Sequence, residues 1–342
     1  VKDDTELDLM KKSSVLSNKV LKHGVIPRIE EIIDSEQSIT HEQLSTEIEA
    51  TIEDPSKIKL KVPKDDVQTC YFPIVQSGGE YDIRISAQST EKTLKYDVIT
   101  VSLGARYRLY CSNISRTFLV DPPKEVSKTY ETLLSMQEAC LKAMVPGKPL
   151  KTVYLAAVKH LKREGREDLV KRLPKNLGFS VGLDFREPSL VLSAKNPAIF
   201  RSGMVFNLAV GLSDVELSDA GRSAANSKSA VKSLKKYGMI LSDMVTVTKQ
   251  GHEILTKHSK GLTDISYLIN DDENASSEED AADAPDGDAE LARKLSRTVE
   301  DSNGQRTSAR LAKNSAAVQE MAEGAAERQR RQIELMSRRN EE

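Results

Sequence analysis

Apolar side chains in residues 6–34 fall at Leu9, Val15, Leu16, Val20, Leu21, Ile29, Ile32 and Ile33, the spacing of one buried helical face. Gly24 and Pro27 interrupt that face and predict a break or kink. Thr40 opens a TxxQ capping box ahead of LSTEIEATIE, so a second helix is expected there. From Cys70 the character changes. CYFPIVQSGGEYDIRIS and KYDVITVSLGARYRLYCSNISRTFLV are β-branched and aromatic runs with a Gly-Gly turn, which predicts strands and hairpins. Helical spacing returns in VSKTYETLLSMQEACLKAM and PLKTVYLAAVKHLKREG. A second β-rich stretch runs from Leu177 to Leu212 and resumes from Ile240 to Val247, with residues 213–238 reading as a polar insertion. Beyond Ile269 no core pattern survives, apart from helical spacing over residues 315–338. The order of helices, strands, helices and strands predicts an α+β class with two similar halves, each a curved antiparallel sheet backed by helices.

Charge changes the picture more than composition does. The formal net charge of −2 conceals an asymmetry along the chain. Residues 271–290 hold ten acidic side chains and no basic one, whereas residues 1–270 carry a net charge of +5. Asp271, Asp272, Glu273, Glu278, Glu279 and Asp280 open this tract, which has no apolar anchors to offset the entropy of ordering. It is expected to be a mobile linker or a polyanion that meets a basic partner. No apolar run approaches a membrane span and no secretory leader opens the chain, so no membrane partner is expected. Its charged, helix-like opening at Val1 suggests a piece of a longer protein. Cys70, Cys111 and Cys140 lie far apart without a C-x-x-C pair, which argues against a disulfide framework or a zinc motif and favours a reducing intracellular compartment.

Short motifs add little. GFSVG (178–182) matches a nucleophile elbow, but that motif needs a helix directly after the serine, and LDFREP follows here. The histidines form no ligand spacing, and His160, in a helix rich in Lys and Arg, reads as a surface residue.

Four longer segments carry more. YDVITVSLGARYRLYCSNISRTF resembles GDxVxxDxGxxxxGYxSDxTRTF, and GFSVGLDFREP resembles GHGxGxxxHEP. FRSGMVFNLAVGL resembles LxxGMVFTIEPGL, and ILSDMVTVTKQGHEILT resembles IEDTVxVTxxGxExLT. These are motifs of the pita-bread metallopeptidases (methionine aminopeptidase, prolidase, creatinase), in the same order over about residues 6–267. The resemblance implies the pita-bread fold. In that family two metal ions bridged by carboxylates activate a water for attack on a peptide carbonyl. Carried over by position, the ligand aspartates become Ser102 and Asn113, the ligand histidine Phe179, and the ligand glutamates Ala209 and Ser242. The substrate-orienting histidine becomes Arg186. The resemblance therefore implies a frame kept without its metal chemistry: no cofactor and no peptidase activity.

The phrasing VSLGARYRLYCSNISRTFLVDPP and LGFSVGLDFREPSLVLS, followed by an acidic stretch, resembles the large-subunit family of the FACT histone chaperone. That likeness implies three regions: an inactive peptidase-like domain (1–269), an acidic flexible linker (270–300), and a charged, partly helical segment (301–342) leading into a middle domain. It further implies ATP-independent nucleosome disassembly and reassembly in transcription elongation, replication and DNA repair. The implied location is the nucleus, on the chromosome. Implied partners are core histones and their tails, the replication and transcription machinery, and a smaller FACT subunit that contacts regions outside these residues. Direct DNA binding is not expected, because the acidic tract opposes phosphate contact. Alternatives are a scaffold for non-histone proteins or peptides, or an active aminopeptidase with other ligands. Arg186, and Arg84 on the strand expected after the Gly-Gly turn, are the candidate contacts for a peptide or histone segment at the old cleft.

Overall fold

The computed structural model describes residues 1–225 and 230–269; the acidic segment and the charged segment expected beyond them lie outside the described residues. Asp3 begins the first helix, α1 (Asp4–Val20), with a reciprocal cap: the Glu6 amide donates to Asp3 Oδ1 at 2.8 Å and the Asp3 amide to Glu6 Oε2 at 2.9 Å. The break expected at Gly24 and Pro27 is a π-helical turn, Leu21–Val25, that leads straight into α2 (Ile26–Asp34). Thr40 and Gln43 cap α3 (His41–Glu53) as the TxxQ pattern predicts.

Strands follow: β1 (Val67–Thr69), β2 (Ile74–Gln76), β3 (Val98–Leu103), β4 (Ala105–Tyr107), β5 (Tyr110–Cys111) and β6 (Ile114–Val120). Then come α4 (Lys124–Ala143), α5 (Lys151–Arg163), β7 (Asn176–Ser180), β8 (Glu187–Ser193), β9 (Val205–Glu216) and the short α6 (Asp219–Ser223). Last are β10 (Lys236–Val247), β11 (His252–Ile254), α7 (Leu262–Ile265) and β12 (Ser266–Tyr267). One sheet runs β2-β3-β6-β10-β9-β7-β8, with β11 on β10 and β12 on β6; β1-β4-β5 form a smaller one. Helices α1 and α3 lie against β4, β1 and β2, whereas α4 and α5 back β9, β10, β7 and β8. This is the two-halved, helix-backed antiparallel arrangement of the pita-bread fold.

Side chains join the halves more than backbone does. Between β6 and β10 a single residue pair, Ser115 and Ser242, is in register. The Thr117 hydroxyl donates to the Ile240 carbonyl and accepts from the Ile240 amide, both at 2.9 Å. Arg116 spans the same junction, donating to the Ser242 carbonyl and to Asp243 Oδ1 at 2.8 Å each. Asp243 also accepts from Thr256, Gln137 and Lys260, at 2.9, 3.0 and 2.6 Å. Burial alone would raise this carboxyl; Arg116 and Lys260 outweigh it and hold Asp243 below the usual carboxylate range.

Three expectations need correction. Residues after the Gly-Gly turn, Arg84 included, form no strand. Gly78 and Gly79 turn the chain at φ +76° and +91°, and the Gly78 amide is tied to the Asp97 carboxylate at 3.1 Å. Tyr81, Ile83 and Ile85 then face the protein as a strap lying across the sheet, which is why the sequence shows a period of two without a ladder partner. The polar stretch 213–238 is not wholly a surface insertion: β9 continues to Glu216, β10 starts at Lys236, and Val215, Leu217, Val231, Leu234 and Tyr237 are buried. His160 is buried, not on the surface. Its Nε2 lies 2.9 Å from Ser135 Oγ, because α5 turns this position toward α4 despite its basic neighbours.

Candidate functional site

The register across the large sheet lines up four of the residues that matter. Ser102 on β3 faces Ser115 on β6, Ser115 faces Ser242 on β10, and Ser242 faces Ala209 on β9. Two residues along β9, Asn207 faces Phe179 on β7. Directly paired residues project from the same face, so this row forms the floor of one cleft. Asn113, two residues before Ser115, joins it. Ser102, Asn113, Phe179 and Ala209 line a cavity of ≈ 710 Å³, together with Arg84 and Arg186; Ser242 lies just beneath, hydrogen bonded to Asn113. All five positions that the resemblance singled out are therefore brought together, and both candidate arginines border the same space.

The floor closes on itself without charge. Asn113 Nδ2 donates to Ser242 Oγ at 2.8 Å and to Asn207 Oδ1 at 3.2 Å, while its Oδ1 accepts from the Tyr71 hydroxyl. Ser242 donates onward to Ser115 Oγ at 2.9 Å. Burial drives the Tyr71 phenol well above its usual range, which keeps it a neutral donor. Tyr71, Ser115 and Asn207 were not evident from the sequence. Cross-strand register brings them in, and spacing along one strand does not reveal it.

Phe179 packs edge-on against Phe185, with ring centroids 5.5 Å apart, and Phe185 in turn meets Tyr71 at 5.0 Å. The Arg186 guanidinium lies 5.6 Å from the Phe179 centroid. Among the described residues Arg186 makes no ion pair or hydrogen bond, whereas Arg84 grips Asp82, with Nη2 at 2.6 Å from Oδ2. Gly178 sits at φ +126°, and a Cβ there would come within 1.9 Å of the Asn207 carbonyl, so only glycine lets β7 lie this close to β9.

This donor set does not fit a pair of divalent cations. Such a centre needs anionic oxygens and imidazole to balance its charge, and the floor offers amides, hydroxyls and a phenyl ring. Among the described residues no group of three or more His, Cys, Asp or Glu side chains is placed to hold a metal ion. The elbow reading fails too, because Ser180 is buried within β7 and leads through a turn into β8, with no helix.

Comparison with known proteins agrees with this fold. The model of metallopeptidase family M24 matches residues 8–249. FACT complex subunit SPT16 of Zea mays is 39% identical over 279 residues, which is 80% of this chain and 25% of that protein, so the chain spans about a quarter of its relative. The N-terminal domain of FACT complex subunit SPT16 from chickpea (Cicer arietinum) superposes with a TM-score of 0.72 at 39% identity, covering 78% of this chain and 61% of that one. X-Pro aminopeptidase from Thermotoga maritima superposes at 0.59 with 21% identity, over 79% of this chain and 64% of the other, a likeness of fold alone. The chain belongs to metallopeptidase family M24, and within that fold it is homologous to the N-terminal domain of FACT complex subunit SPT16.

Proposed function

We propose that this chain is a non-catalytic, histone-binding module of a FACT-type histone chaperone. The observation that carries the reading is the neutral, mutually hydrogen-bonded floor of Asn113, Ser242, Ser115 and Asn207. The family resemblance sets Ser102, Asn113, Phe179, Ala209 and Ser242 at metal-ligand positions. None of these side chains carries a charge to offset a dication, and Phe179 has no lone pair to give. Homology to SPT16 supports the rest: ATP-independent handling of core histones during nucleosome disassembly and reassembly, in the nucleus, alongside a smaller subunit that contacts regions outside these residues. Arg84 and Arg186 border the cleft as contacts for a bound segment.

The test joins two measurements. Elemental analysis and a peptide-hydrolysis assay with added manganese, cobalt or zinc are expected to show neither stoichiometric metal nor turnover. Titration with separate core-histone pairs is expected to show saturable binding. Stoichiometric metal with saturable turnover would overturn the non-catalytic reading, and absence of histone binding would overturn the chaperone reading.

A further inference from the structure

The charges around the cleft are uneven once internal pairs are removed. Five charged side chains line it: Asp82, Arg84, Lys175, Arg186 and Asp214. Asp82 and Arg84 neutralise each other through the 2.6 Å contact, and Asp214 is taken by Lys236 at 2.5 Å. Arg186 and Lys175 remain, both exposed and neither in an ion pair or hydrogen bond among the described residues. The nearby Glu187 accepts from the Ser189 hydroxyl at 3.4 Å, and neither it nor Asp184 lines the cavity. Among the described residues no unpaired anion lines the cavity. Beside the neutral amides and hydroxyls of the floor, the lining offers apolar contact at Phe179, Ile83, Ile85, Ala209 and Ile240, with Phe179 directly under Arg186.

We propose that this cleft takes an acidic peptide segment, whose carboxylates meet Arg186 and Lys175 and whose apolar residue seats on Phe179. The proposal rests on the reading that the cleft binds without cutting, and it adds the class of ligand. Arg186 is the better reader of the two. Its guanidinium is held over the Phe179 ring with its N–H fork unspent, so little side-chain freedom is lost when a carboxylate arrives. A cavity of ≈ 710 Å³ falls within the range of ordinary ligand pockets. Lysine-rich and arginine-rich segments would meet like charge at this mouth. The basic tails of histones are thereby directed to some other surface of the molecule.

The probes are a fluorescein-labelled peptide with one leucine inside a run of glutamates, and its counterpart with lysine for glutamate. Fluorescence anisotropy on the full chain should show the glutamate peptide binding and weakening with salt, while the lysine peptide, which the acidic tract 271–290 can attract, should bind the double reversal below at least as well as the parent. In Lys175→Glu/Arg186→Glu the affinity for the glutamate peptide should fall about tenfold or more, with the melting temperature unchanged. Lys175→Gln/Arg186→Gln, which removes charge without reversing it, should lie between the two. Mass analysis of recovered peptide keeps cleavage separate from binding, so an enzymatic outcome is not mistaken for failure of the charge argument. Unaltered affinity for the glutamate peptide in the double reversal would overturn the proposal. So would a lysine peptide that loses affinity in the double reversal as the glutamate one does, since any hold on it by the acidic tract 271–290 is untouched by those substitutions.

Discussion

Burial around Asp97 pushes its carboxyl up to about 7, against the help of the Gly78 and Val98 amides, the Tyr81 hydroxyl and Lys95. In the unfolded chain an aspartate titrates near ~3.9. Between those values the folded protein holds a proton that the unfolded chain has released, so stability falls as pH rises through this window and levels off above it. Asp97→Asn fixes the neutral form. Measured against this variant, the parent should lose melting temperature from about pH 4 to 7 and hold a constant difference above that, as thermal unfolding in matched buffers would show. Parallel curves would mean that Asp97 does not titrate there. At this scale the sequence was partly legible. Motif spacing located Ser102, Asn113, Phe179, Ala209 and Ser242, since each sits at a fixed offset from a turn or strand. It could not locate Asn207, Ser115, Tyr71 or Lys175, whose part depends on which strand lies beside which. The isolation of Arg186 was equally hidden, because it follows from Asp82 and Asp214 being taken by other residues.

The strap over residues 81–86 owes its seat to two glycines on the hairpin beneath it. A Cβ on Gly238 would lie 2.6 Å from Tyr81 Cβ, and one on Gly211 would lie 3.0 Å from Ile83 Cδ1. Gly238→Ala should therefore lift the strap and cost about 1–3 kcal/mol, as overpacking does elsewhere. Urea unfolding would read the loss, and limited trypsin digestion should cut sooner after Arg84. Unchanged stability and unchanged digestion would show that the strap yields without strain. Capped helices were the most legible elements, since Thr40 and Gln43 satisfy backbone groups within a few residues of themselves. The strap was misread because its alternating Tyr81, Ile83 and Ile85 obey the same period whether an extended segment lies within a sheet or on top of one. The far ends of β9 and β10 were missed for the opposite reason. Their apolar residues are sparse, and they are buried because α4 and the strap come to them from elsewhere in the chain.

For the molecule as a whole, the acidic tract 271–290 lies outside the described residues, and we propose that its charge contributes to histone contact. Exposed charges are screened over roughly 8 Å at physiological ionic strength. Replacing its Asp and Glu by Asn and Gln should lower core-histone affinity chiefly at low salt, in titrations run at two salt concentrations. Equal affinity at low salt would reduce the tract to a spacer. The junction between the two halves has a different kind of consequence, one for heredity. A ladder of backbone hydrogen bonds is indifferent to the side chains it joins, so most strand positions can drift as generations pass. Here one hydroxyl and one buried guanidinium–carboxylate pair hold much of the seam, and the codons for Thr117, Arg116 and Asp243 are correspondingly constrained. Loss-of-fold alleles recovered from a random library should cluster at those three codons, leaving the lengths of β6 and β10 on either side comparatively free to vary.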